Sequence, residues 1–393
     1  MNSTSQIRIA FSVGELSGDE HTAHVVRALS GLLPGCEMRG MGGRNMRNAG
    51  FSTVVDSEVS ASVMGFTALL GSATKIFRAM GSMRQLLREW KPDLLVLTDY
   101  PDFNLSLAHY ARKHNIPTLY FIPPKVWAWR GYRVNQIADW IDHLAVIFPF
   151  EVNFYRSHGL ANVTYVGHPM HDTIDCTPLN TEQRNSKLKE LGLTPEHPVV
   201  GLFPGSRKNE IGRHLPQMRA AFDYLRAHIP QAQAIISVAP TMDPALIEQF
   251  AKTEHGVVTS SLNSVDLLKL VDAATMKSGT SNLQAAFVGT PFTMCYNVSK
   301  RTEFIMRPIL KIKQFSPVNV VRPNTIRELM QEPPNAERMG PELLRLVSDV
   351  QYRDSIKDGL QETVALLSNN SEQTCATNVA ELIVQQINRG SKT

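Results

Sequence analysis

Four cysteines in 393 residues, at positions 36, 176, 295 and 375, lie far apart and form no CxxC pair. A disulfide framework or a cysteine-held metal is therefore not expected, and the thiols fit a reducing cytoplasm. Apolar runs are short, and none reaches the roughly 18 residues needed to cross a bilayer. The opening MNSTSQIRIAFSVGE lacks a charged segment followed by a long apolar core, so no signal peptide is expected. Excess charge is scarce too: 40 Lys and Arg against 36 Asp and Glu leave a net +4, which does not suggest a nucleic-acid partner. What is there is ordinary globular material, 43% hydrophobic and 19% charged. Its length suggests two domains.

The stretch Asp93–Asn104, DLLVLTDYPDFN, organises the rest. Leu94 to Leu97 form an unbroken apolar run, the pattern of a strand buried on both faces. A helical pattern follows from Phe103. In open α/β sheets ligands bind beyond the carboxyl ends of strands, so Asp99 stands where a general base would be wanted. Burial there would raise its pKa. Asp102 is expected to cap the following helix.

Upstream, Ile7–Val13 predicts a strand, GELSGDEH a loop, and His21–Leu33 a helix. The loop is not GxGxxG, and its Glu15 and Asp19 would repel a pyrophosphate. It is read as meeting sugar hydroxyls or orienting a partner, with Ser17 or Asp19 equally suited to cap the helix. A second strand is expected at Cys36–Gly40. From Phe66 to Leu86, Phe66, Leu69, Leu70, Ile76, Phe77, Met80 and Met83 recur at helical spacing beside Lys75, Arg78, Arg84 and Arg88. Such a segment is either a core helix with a solvated face or an apolar, basic surface for an anionic membrane. Further strands are expected at Thr118–Ile122 and His143–Phe148. Between them, Trp127 and Trp129 would share a face in extended chain, either as a platform for a sugar or, as is commoner for tryptophans, in the core, and Arg130 and Arg133 suit a phosphate.

In the second half, Pro198–Phe203 predicts a buried strand that runs into PGSRKNEIGRH. Gly205 permits a tight turn, Ser206 offers a hydroxyl, and Arg207 suits a diphosphate above a helix starting near Asn209. Helices are expected near 243–253 and 264–270. The strand Ala273–Lys277 ends in Ser278-Gly279-Thr280 at a helix N-terminus, and Gln284 follows one turn later, within reach of a ribose. Two such cradles without a Walker lysine, and without a DxD-like pair at the strand ends, point to a nucleotide diphosphate leaving group stabilised without a metal. From 324 onward, TIRELMQE included, the chain is expected to be mostly helical.

Together GELSGD (14–19), GMGGRNMRNAG (40–50), VMGF (63–66), TDYPDFNL (98–105), VWAWR (126–130), FPFE (148–151), VGHPM (166–170), PGSRKNEI (204–211), SGTSNLQ (278–284), VGTP (288–291) and VNVV (318–321) resemble the lipid-A-disaccharide synthases. These are GT-B inverting glycosyltransferases. The resemblance implies an α/β fold of GT-B type, two Rossmann-like domains facing across a cleft. It places the boundary at 168/169, with about 370–393 returning to the first domain. It implies transfer of diacylglucosamine from UDP to the 6-hydroxyl of a phosphorylated diacylglucosamine, with Asp99 as base. Glu15, Ser17, Trp127 and Arg130 would lie on the acceptor side. Gly205, Ser206, Arg207, Glu210, Ile211, Ser278, Gly279, Thr280, Gln284 and Asn319 would hold the nucleotide. Phe66, Leu69, Leu70, Ile76 and Phe77 would face the inner leaflet of the inner membrane from the cytoplasm. No cofactor, metal or nucleic acid is implied, and a homodimer is suggested. The chain departs from the family pattern at Ala68, Pro124, Lys125, Gln284, Pro323 and Asn324. Rival readings are a transferase with another glycolipid acceptor, a UDP-sugar epimerase of the same fold, and a non-catalytic UDP-sugar or glycolipid binder.

Overall fold

A computed structural model describes residues 6–58, 69–239, 255–297, 314–330, 336–368 and 373–390. The chain divides into two compact units, Met1–Asp172 with Leu367–Thr393, and Thr173–Leu366.

The first unit is built on a parallel sheet of β1 (Arg8–Val13), β2 (Glu37–Gly42), β3 (Ser52–Asp56), β4 (Leu94–Thr98), β5 (Thr118–Phe121), β6 (His143–Val146) and β7 (Val163–Tyr165). Their order is β3-β2-β1-β4-β5-β6-β7. Helices α1 (Leu16–Leu32), α2 (Arg44–Asn48), α3 (Leu69–Trp90), α4 (Pro101–Lys113), α5 (Arg133–Trp140), α6 (Pro149–Arg156) and α7 (Met170–Thr173) connect or follow these strands. Every residue of β4 is buried, as its unbroken apolar run requires. Leu95, Leu97, Met83, Leu87, Leu107 and Tyr120 share one core cluster. The strand order reverses between β1 and β4, whose register sets Val13 opposite Thr98. The residues that follow, Gly14-Glu15 and Asp99, thus flank the switch point, where doubly wound sheets bind ligands.

The second unit repeats this plan. Strands β8 (Val199–Phe203), β9 (Gln233–Ser237), β10 (Val257–Ser260), β11 (Ala273–Lys277), β12 (Phe292–Tyr296) and β13 (Glu328–Met330) lie parallel in the order β10-β9-β8-β11-β12-β13. Before, between or after them come α8 (Thr181–Glu190), α9 (Lys208–His228), α10 (Ser264–Leu268), α11 (Thr280–Val288), α12 (Pro317–Val321), α13 (Ala336–Ser348) and α14 (Val350–Leu367). The last helix, α15 (Cys375–Gly390), belongs to the first unit and packs on α1. The switch point here lies between β8 and β11, with Met276 opposite Phe203. The turns at 204–207 and 278–280 therefore flank it.

Several expectations are corrected. TIRELMQE contains a strand, not a helix: Glu328–Met330 pairs parallel with β12. Ile326 and Leu329, three apart, imitate a helical face, yet both are buried by tertiary contacts. The Glu328 carboxylate accepts the Phe315 and Ser316 N–H groups at 2.8 and 3.0 Å, which pins the strand in place. Helix α1 starts at Leu16, not His21, and β6 stops at Val146, not Phe148. Asp102 does not cap α4, whose N-cap is Tyr100, and it pairs instead with Arg130 and Arg133. The helix expected near 243–253, Phe66 and Ala68 lie outside the described residues, as do the side chains of Leu69 and Leu70.

Candidate active site

Asp99 and Tyr100 both adopt left-handed backbone, with φ of 47° and 49°. For side-chain-bearing residues each such position costs ~1–3 kcal/mol and persists only where its surroundings enforce it. Here they do. The Asp99 carbonyl accepts from Asn104 Nδ2 and from the Tyr120 hydroxyl, each at 2.7 Å. Asn104, wholly buried, also donates from Nδ2 to Ser12 O and Thr98 O, and its Oδ1 accepts from Ser12 Oγ at 2.6 Å. Gly14 completes the fit: a Cβ there would lie 2.2 Å from the Tyr100 ring.

The bend turns Asp99 into a cavity of about 320 Å³, lined also by Glu15, Pro124, Lys125, Trp129, Arg130 and Arg133. Ile122 and Arg130 on its wall are left-handed as well, with φ of 55° and 51°. Burial raises the Asp99 pKa, against the opposing pull of Lys125 and the Tyr100 N–H. Burial also raises that of Glu15, and the Asp99 charge adds to the rise. A carboxyl with a raised pKa at a switch point has the chemistry that a general base requires.

The other acceptor-side expectations fare unevenly. Residues 125–129 form a turn, so Trp127 and Trp129 do not share a face. The Trp127 indole turns inward, donating to Glu151 at 2.9 Å and packing edge-on against Phe148 and Phe150. Trp129 lines the cavity instead, 39% exposed beneath the Arg130 guanidinium. Ser17 is exposed and does not line the cavity. Asp19 does not cap its own helix: its carboxylate takes the Gly43, Asn45 and Met46 N–H groups, holding the start of α2.

Glu151 is buried outright, and burial pushes its pKa up to about 7 despite bonds from Trp127 and the Phe148 N–H. A raised carboxyl stabilises the fold fully below its unfolded value near 4.5, and that contribution fades as pH climbs through about 7. Glu151→Gln should therefore flatten the melting temperature across this window, removing a slope worth up to about 3 kcal/mol. An unchanged slope in a thermal-shift series would refute the assignment.

In the second unit, Gly205, Ser206, Arg207, Glu210, Lys277, Gly279, Thr280 and Gln284 line one cavity of about 360 Å³. Gly205 is left-handed at φ 109°, and a Cβ there would lie 2.5 Å from the Glu210 carboxylate. Burial raises the Glu210 pKa, but the Lys277 ammonium at 3.1 Å and the Ser206 N–H outweigh it and hold the group ionised. Arg207 is 83% exposed and forms a loose ion pair with Glu210 at 3.8 Å. Three expected nucleotide residues do not join this cavity. Ile211 is buried in the core, and the Ser278 hydroxyl donates to Phe315 O. Asn319 spends its amide on Ile326 and Glu328 and lines a different cavity.

Sequence reasoning missed Lys277, counted only as the last strand residue, and treated Lys125 only as a departure. The clamp of Asn104 and Tyr120 was also missed, because only β4–β5 pairing brings Tyr120 to Asp99. A larger cavity of about 540 Å³ sits at the amino-terminal strand ends beside Pro198 and Asp272. Its Arg184 and Lys269 are already paired with Asp272 and Asp175, so size alone does not mark it as a site.

The lipid-A-disaccharide synthetase family model (LpxB) matches residues 9–384. The chain belongs to this family. It is 35% identical over 391 residues to the lipid-A-disaccharide synthase of Geobacter sulfurreducens, covering 99% of this chain and 100% of that one. To the enzyme of the same name from Syntrophus aciditrophicus it is 37% identical over 363 residues, 92% of each chain. Among solved structures it resembles a glycosyltransferase from Rickettsia africae, with TM-score 0.60 at 12% identity over 99% of this chain and 100% of that one. It also resembles the UDP-GlcNAc 2-epimerase of Neisseria meningitidis bound to UDP-GlcNAc, with TM-score 0.59 at 13% identity over 98% and 100%. At these identities the likeness is one of fold, and the class is the expected α/β GT-B type.

Proposed function

We propose that this member of the lipid-A-disaccharide synthetase family is a glycosyltransferase that moves 2,3-diacylglucosamine from UDP to the 6-hydroxyl of 2,3-diacylglucosamine 1-phosphate. The products are the β-1,6 disaccharide and UDP. The observation that carries the mechanism is the buried, strained carboxylate of Asp99 at the first unit's switch point. Its carboxylate takes the proton of the attacking hydroxyl as the new bond to the anomeric carbon forms and the bond to UDP breaks. A positioned base typically supplies 10²–10⁴-fold, about 3–5 kcal/mol of barrier. Glu15 beside it would bond the acceptor hydroxyls.

Arg207, Lys277 and the N-terminus of α11 suit the departing diphosphate, and Gln284 suits the ribose. Incubating the purified protein with acylated UDP-glucosamine and candidate acylated acceptors, with mass-spectrometric detection, tests the assignment. Conversion of UDP-GlcNAc alone would favour an epimerase instead.

Donor and acceptor carry acyl chains, so a membrane-bound working position follows. No described helix is long and apolar enough to cross a bilayer. On α3, however, Thr74–Arg78 are all exposed, with Phe77 at 74%, while Ala79, Met83 and Leu87 face the core. Exposed Lys75 and Arg78 flank Ile76 and Phe77, and exposed Arg84 and Arg88 follow along the helix, a combination suited to the anionic leaflet. Burying one phenylalanine is worth ~1.5–3 kcal/mol, so Phe77→Glu should cut partition into anionic vesicles about tenfold or more. Equal co-sedimentation of variant and wild type would refute this contact.

A further inference from the structure

Glu15 and Asp99 bring two carboxyls into one cavity, and both resist ionisation there. Burial opposes the charge of each, and the Asp99 charge opposes that of Glu15. A carboxyl that holds its proton cannot serve as a base, so the cavity needs a positive charge to offset the pair. Its cations are Lys125, Arg130 and Arg133. Both guanidiniums already meet Asp102. Among the described residues, no carboxylate forms an ion pair with Lys125. Its charge is left to pull on Glu15 and Asp99, and it favours the ionised form of both.

An exposed lysine is normally a poor source of a directed field, because its long stem is mobile. Lys125 is exposed, but both ends of its side chain are held. At the backbone, the neighbouring Pro124 carbonyl accepts the Tyr155 hydroxyl at 3.0 Å and the Val126 N–H at 2.7 Å. At the tip, the ammonium lies over the Phe148 ring, 5.8 Å from its centroid. That ring is buried, stacked on Phe150 at 5.7 Å and edge-on to Trp127.

The other titratable groups nearby supply no such charge. Tyr120, from β5, and Tyr100, beside Asp99, are both raised by burial and stay protonated. Asp102 on α4 is paired with the arginines, and Glu151 on α6 is buried against Trp127. His168 packs against Phe148 with ring centroids 5.4 Å apart, and burial pushes its pKa down to about 3. His21 on α1 is likewise pushed down to about 4. Both histidines are neutral where Asp99 must be charged.

We infer that Lys125 is the fixed counter-charge of the Asp99–Glu15 pair and keeps Asp99 in its proton-accepting form near neutral pH. It acts through Asp99 and not on substrate, so it is a positioning residue. The assignment rests on the proposed role of Asp99 and adds what sets its working range. The sign of its loss is distinctive. Without the ammonium, Asp99 holds its proton to higher pH, yet once ionised it is a stronger base. Rate is therefore lost on the acidic side alone, whereas losing a substrate contact would cost rate at every pH.

Two measurements test this. In the first, kcat/KM for transfer is followed against pH. In Lys125→Met the acidic limb should move to higher pH, leaving rates there about three- to tenfold below wild type, and the profiles should converge on the alkaline side. Lys125→Arg, which keeps the charge, should keep the wild-type limb. Equal loss at every pH, or a raised acceptor KM with the limb unmoved, would overturn the assignment and make Lys125 a substrate contact.

The second is the titration of Asp99 in the free protein by carbon-13 NMR, with its signal identified by its absence in Asp99→Asn. This needs no turnover. The midpoint should lie higher in Lys125→Met than in wild type. Added salt should raise the wild-type midpoint toward that of the variant, because the exposed ammonium is open to screening ions. A midpoint indifferent to Lys125 would overturn the counter-charge while leaving the transferase assignment standing. A midpoint that moves as expected in a protein that transfers no sugar would keep the counter-charge and overturn the activity.

Discussion

Asp99→Asn should lower kcat by ~10²–10⁴-fold while leaving UDP binding intact. The amide keeps the shape of the side chain, and its oxygen can still accept the Tyr100 N–H that Asp99 now receives at 2.9 Å. What it loses is the capacity to take a proton. Asp99 does not line the second unit's cavity, so the nucleotide's contacts there have no reason to change. In wild type the same group should shape the pH profile. Its pKa is raised, so the active, ionised form is lost on acidification from a higher pH than for an exposed aspartate. On the acidic limb kcat/KM should fall about tenfold per pH unit. Because Glu15 is raised in part by the Asp99 charge, that limb belongs to the coupled pair, and Asp99→Asn should remove it from the residual activity. Turnover within a few-fold of wild type would end the base assignment.

How much of this was legible in advance follows from the range of each interaction. The buried run Leu94–Leu97 and the residue after it could be read locally, because full burial writes itself as unbroken hydrophobicity. So could the turn at Gly205–Arg207, where glycine and a helix start sit side by side. The partner that holds Trp127 inward could not, since Glu151 lies 24 positions away on the helix Pro149–Arg156. Asn319 carries the same lesson in reverse. A motif asparagine looks like a ligand until Ile326 and Glu328, brought in by an unforeseen strand, absorb its hydrogen bonds. Arg130, Arg133 and Asp102 stood in plain view as charges, but only the fold puts both arginines on one carboxylate.

Asn104→Ala should be the second severe lesion, although Asn104 touches no reacting atom. The side chain bonds the Asp99, Thr98 and Ser12 carbonyls and accepts from the Ser12 hydroxyl. Its loss strands buried polar groups, for a stability decrease of ~2–4 kcal/mol. Tyr120 would remain as the other donor to the Asp99 carbonyl, so the left-handed bend would loosen without vanishing. A base displaced by an ångström typically loses ~10²-fold, so kcat should drop by about that factor with the donor KM unchanged. A purely structural role would give the same stability loss but a different double mutant. If Asn104 acts by aiming Asp99, adding Asn104→Ala to Asp99→Asn should cost stability but almost no further rate, because there is no base left to aim. Rate losses that multiply would show instead that Asn104 serves the fold alone, and that the strain at Asp99 and Tyr100 is held by something other than this amide.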